Sequence, residues 1–122
     1  MLSGNGSEVL TSLQTFRSKV NANGRARKLL QNWEPLVIVE STDASERYFL
    51  RIRDTAIQPI EFEGDEDAKH SVHIRGTSSE LAAVFCGEKN AARSVLNADL
   101  EVFAADKDQV KLDAISMVIW GI

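Results

Sequence analysis

The chain of 122 residues carries 43% apolar and 26% charged side chains, one cysteine and a net charge of −4. These fractions suit one globular domain over residues 1–122 and exclude wholesale disorder or collagen-like repeats. The lone Cys86 excludes an internal disulfide and a cysteine-built zinc site, and no apolar run approaches the roughly 18 residues that span a bilayer.

The opening MLSGNGSEVL has neither a basic leader nor an apolar h-region, so a cytoplasmic protein is expected. Charge is uneven along the chain. Residues 1–33 hold five basic side chains and one acid, residues 34–68 three basic side chains and ten acids, and residues 69–122 six against seven. An acidic middle repels phosphates and disfavours nucleic acid as a partner. The basic cluster Arg25, Arg27, Lys28 reads either as a contact for an anionic membrane surface or as a solvated helix face turned toward the acidic middle.

Residues 1–33 form an N-terminal helical region. Val9, Leu10, Leu13, Phe16 and Val20 recur at helical spacing and predict an amphipathic helix from Ser3 to Val20. A short helical piece from Ala26 ends near Trp33, and Pro35 marks a change of texture. Leu36–Glu40 is β-branched and apolar, and Thr42–Ser45 supplies a turn. In Arg47–Arg53, Tyr48, Leu50 and Ile52 alternate with Arg47, Phe49, Arg51 and Arg53, predicting a hairpin strand whose outer face carries Phe49 and the arginines. A third strand is expected from Ala56 to Glu63, at a sheet edge because it contains Pro59. A fourth runs from His70 to Arg75 after an acidic loop.

Thr77-Ser78-Ser79-Glu80 fits a capping box, with Glu80 reaching back to the helix start, and Gly87 is placed for a left-handed end. A short helix, Asn90 to Leu96, precedes a fifth strand, Leu100–Phe103. Asp106, with Gln109 three residues on, opens a last helix whose expected stripe is Val110, Ala114, Ile115, Val118 and Ile119. Helices gathered on one face of a mainly antiparallel sheet make an α+β, two-layer fold.

Chemistry finds few footholds. There is no GxSxG, glycine-rich phosphate loop or HExxH, and Cys86 beside Phe85 reads as an inert core thiol. His70 and His73 stand three apart in a strand, so they point to opposite faces and cannot chelate together. Asp65, Glu66 and Asp67 read as a solvated loop or a weak cation site. No metal, cofactor or catalytic residue is expected. Among the acids, only Glu101 and Asp113 are flanked by apolar neighbours within an element, and Glu101 alternates outward.

Val72-His73-Ile74-Arg75-Gly76-Thr77, Glu80-Leu81, Val84-Phe85-Cys86-Gly87-Glu88-Lys89-Asn90 and Val95–Val102 follow one another in an order that resembles the sterol carrier protein 2 family of lipid-binding domains. Related domains usually carry glycines near Asn97-Ala98 and Ala104-Ala105, and both are replaced here. The resemblance implies a curved, five-stranded, mostly antiparallel sheet with helices on one side, enclosing an apolar tunnel for a lipid, sterol or fatty-acyl chain. Helical phase and the resemblance together nominate Leu81, Val84, Phe85, Leu96, Ile115 and Ile119 as its lining, each with a plain core reading beside it. Two alternatives stand beside non-catalytic carriage. One is a ligand-free accessory module that dimerises or docks on a larger enzyme. The other is a small cone-shaped enzyme, which would need an acid and a donor such as Tyr48 converging in an apolar pocket.

Overall fold

The computed structural model describes residues 5–64 and 70–121. Ser3 of the expected first helix and the acidic Asp65, Glu66 and Asp67 lie outside the described residues.

Helix α1 (Asn5–Ala22) buries Val9, Leu13, Phe16 and Val20, the expected stripe. It ends where Asn23 caps α2 (Gly24–Leu29), its side-chain oxygen accepting from the N–H groups of Arg25 and Ala26 at 3.0 Å. Strands β1 (Leu36–Ser41), β2 (Glu46–Arg53), β3 (Ala56–Ile57) and β4 (Ser71–Gly76) follow. Then come α3 (Ser78–Phe85), α4 (Ala91–Leu96), β5 (Leu100–Phe103) and α5 (Asp106–Trp120).

The strands form one five-stranded sheet in the order β3-β2-β1-β4-β5. Among the described residues only the β1–β4 pair is parallel. The architecture is α+β with a mostly antiparallel sheet. Val37, Val39, Tyr48, Leu50, Ile52, Val72, Ile74 and Leu100 present the inner face to the helices, where they pack with the stripes of α1 and α3. Each such side chain, fully buried, contributes roughly 1.5–3 kcal/mol.

Three expectations are corrected. Phe49 is 3% exposed, not part of an open outer face: it forms a second cluster with Leu36 and Ile38. The chain returning past Pro59 covers that cluster, with Glu61 bridging to Phe49 and Gly64 lying against its ring. Because β1 is covered on both sides, its four apolar residues are all buried. The third strand shrinks to Ala56–Ile57, since Pro59 cannot donate to the ladder. The last helix keeps Ile115, Val118 and Ile119 of its expected stripe against the core but turns Val110 outward. Asp108 is buried and Val110 is 67% exposed, two residues further on and so about 200° around the axis. Leu112 takes the inward place expected of Val110.

The basic cluster is divided by its contacts. Arg27 donates from Nε to Thr55 O at 3.0 Å and from Nη2 to Thr55 Oγ1 at 3.2 Å, tying α2 to the β2–β3 turn, while Arg25 and Lys28 stay exposed. No helix among the described residues is long and apolar enough to cross a membrane.

Candidate functional site

Small side chains leave space between the sheet and the two C-terminal helices. Ala91, Ala92 and Val95 of α4 face Leu112 and Ser116 of α5 across a cavity of about 170 Å³. Ile74, Leu100 and Val102 form its floor on β4 and β5, and Phe16, Val84 and Phe85 close its inner end. Phe16 and Phe85 meet edge to face, their centroids 5.2 Å apart, so aromatic packing stops the cavity from running on under α1. Beyond them, under β1 and β2, the residual void is about 10 Å³.

Three polar residues, Gln109, Asp113 and Ser116, also line the cavity, all from α5. At spacings of four and three they fall on one side of the helix. One amide N–H of Gln109 is committed to Ala104 O at 3.2 Å. Asp113 is exposed as a whole, and partial desolvation pushes its carboxyl above its ordinary range.

Two buried carboxylates hold the surrounding helices in place. Glu80, at the base of α3, accepts from Lys89 Nζ at 2.8 Å and from Ser94 Oγ at 2.5 Å. The Lys89 and Ser94 hydrogen bonds draw its pKa down against the opposing effect of burial. Glu80 therefore does not reach back to its own helix start as expected. Thr77 does its half of the cap, accepting from Glu80 N–H at 3.3 Å, while the carboxylate pins α4 to α3. Asp108, in the first turn of α5, accepts from Trp33 Nε1 at 2.7 Å, and His70 Nε2 lies 3.2 Å from the same oxygen. Burial opposes its ionisation, yet the Trp33 and His70 hydrogen bonds leave its pKa lowered. This clamp fixes the rotation of α5, and with it the three polar side chains at the cavity.

Of the nominated lining residues, Val84 and Phe85 are on the wall. Leu81 and Ile115, 0% and 2% exposed, are packed into the neighbouring core. Leu96 is 85% exposed and points outward: Ser94 is drawn inward to Glu80, and Leu96 stands two residues further round a short helix. Ile119 borders a broad, shallow groove of about 600 Å³ along α1, whose lining is otherwise mostly polar. The lining residues that sequence reasoning did not nominate are Phe16, the strand floor, Val95, Leu112, the two alanines of α4 and the polar row of α5. Two adjacent alanines opposite an apolar strand were the available signal for unfilled space.

Other candidates resolve into structural roles. His73 bonds Glu40 at 3.0 Å on the outer face, apart from His70. Among the described residues no group of three His, Cys, Asp or Glu could hold a metal ion. Cys86 caps the end of α3 half-exposed, its Sγ 3.6 Å from Ala83 O, and is less buried than a core thiol. Tyr48 donates to Glu46 and does not line the cavity.

No protein-family model matches the sequence, and no curated protein matches it. Solved structures do match the fold. The solution structure of the sterol carrier protein domain 2 of Helicoverpa armigera superposes with a TM-score of 0.73 over 100% of this chain and 97% of its own, at 11% identity. The chain has the sterol carrier protein 2 fold. A ubiquinone synthesis protein, UbiJ-SCP2, matches with a TM-score of 0.68 over 88% of this chain and 91% of its own, at 12% identity. The inverting sec-alkylsulfatase Pisa1 of a Pseudomonas species matches with a TM-score of 0.58 and 11% identity over 76% of this chain, which spans 14% of that enzyme.

Proposed function

We propose that this sterol carrier protein 2 fold binds the apolar tail of an amphiphile, without catalysis, in the cavity between α4, α5 and the β4–β5 floor. The observation that carries this reading is the cavity itself, apolar on every wall except the α5 row. Its size bounds the ligand. Drug-sized pockets run to roughly 300–1,000 Å³, whereas an apolar cavity of about 150 Å³ holds benzene. At about 170 Å³ this one takes a tail of about six carbons, not a whole sterol. At roughly 0.8 kcal/mol per methylene, such a tail gains about 5 kcal/mol before ordering costs, which places affinity near millimolar.

Displacement of a fluorescent fatty-acyl probe, with native mass spectrometry, tests the reading. Saturable uptake that Val95→Phe abolishes is expected, since the added ring occupies the cavity. Absence of uptake by the unaltered protein sinks it. A second reading, a ligand-free accessory module, draws support from the core under β1 and β2, where the void is only about 10 Å³. A partner retained in pull-down by both the unaltered protein and Val95→Phe would favour it.

A further inference from the structure

Amphiphiles differ at the head as well as the tail, and the cavity wall is chemically one-sided. Phe16 from α1, Val84 and Phe85 from α3, the α4 residues and the strand floor bring no charge and no titratable group to it. Asp113 is the sole charged residue of the lining, and its neighbours along α5 are an amide and a hydroxyl. A bound fatty carboxylate would set its charge against that of Asp113 with no cation on the wall to offset it. An ammonium head has three N–H donors, and the α5 row offers three acceptors: the Asp113 carboxylate, the free carbonyl oxygen of Gln109 and the Ser116 hydroxyl.

We infer that the ligand is a cationic amphiphile, a primary alkylamine whose tail fills the cavity and whose ammonium sits on the Gln109–Asp113–Ser116 row. This rests on the cavity being a ligand site at all. The row selects the head, while the alanines and Val95 set the length of the tail. Asp113 is exposed, and the partial desolvation that raises its carboxyl is a cost that an arriving ammonium relieves.

The test is calorimetric titration of the whole chain with hexylamine, hexan-1-ol and hexanoate, repeated on Asp113→Asn. Hexylamine is expected to bind about tenfold more tightly than hexanoate, the effect of one well-made hydrogen bond to a charged group. Asp113→Asn is expected to erase that preference. Hexylamine binding should weaken as the pH falls through the titration of Asp113. If hexanoate binds as tightly as hexylamine, or if the preference survives Asp113→Asn, the head assignment is overturned while the cavity reading stands. If none of the three binds, the cavity reading falls and this inference falls with it.

Discussion

Ala98 has a φ of 64°, a left-handed conformation that an L side chain enters at a cost of roughly 1–2 kcal/mol. It stands just past the end of α4, where Ala98 N–H donates to Val95 O at 3.0 Å and Asp99 N–H to Ser94 O at 2.9 Å, a closing pattern that favours glycine. Ala98→Gly is therefore expected to stabilise the protein by about 0.5–1 kcal/mol, read as a higher urea midpoint with unchanged slope. Trp33 tests the opposite sign. Trp33→Phe keeps the ring but removes the Nε1–H donor from Asp108, and should cost about 2 kcal/mol in the same assay. The sequence marked the Ala98 position, because the family resemblance places a glycine nearby. It gave no hint of the Trp33–Asp108 bond, which joins residues 75 apart.

At the level of elements, ends were more legible than faces. The Thr77 cap, the start of α4 beside Asn90, the β5 limits and the left-handed Gly87 all depend on residues within a turn of one another. Gly87 also carries a distant constraint: a Cβ there would lie 2.6 Å from the Trp120 ring of α5. Gly87→Ala should thus combine backbone strain with displacement of Trp120, costing about 2 kcal/mol or more. The control is Gly121→Ala, also at positive φ but with open space around it, which should cost about 1 kcal/mol. Equal losses of melting temperature in the two variants would remove the Trp120 contact from the explanation. The first turns of α5 escaped sequence reasoning because Val110 and Leu112 are equally apolar, and the Asp108 clamp decides which turns inward.

For the whole molecule, ionised carboxylates tie elements to one another. Asp43 in the β1–β2 turn accepts from Ser78 N–H, Ser78 Oγ and Ser41 Oγ, and these bonds lower its pKa from 3.8 to about 2. Glu80 joins α3 to α4, and Asp108 joins α5 to the Trp33 loop and the foot of β4; both are lowered as well. A carboxyl with a folded pKa below its unfolded value contributes stability that is complete above the unfolded pKa and is lost as the pH falls through the folded one. The melting temperature is therefore expected to hold above about pH 5 and to fall as the pH drops from about 4 to about 2. Asp43→Asn should shrink the part of that fall that Asp43 contributes. A melting temperature level down to pH 2 would remove these three links from the account of stability.

Hydrophobic periodicity, turn chemistry and caps act over a few residues, so the amino-acid order alone set the kind and succession of the elements and their gathering onto one face of a sheet. The burial of Phe49, the choice of Leu112 over Val110 on α5 and the empty space beside Val84 and Phe85 were decided only when the elements packed. A void is defined by what distant side chains fail to fill, and a helix face by which neighbour it meets. Both are properties of contacts between segments far apart along the chain, to which a local pattern is blind.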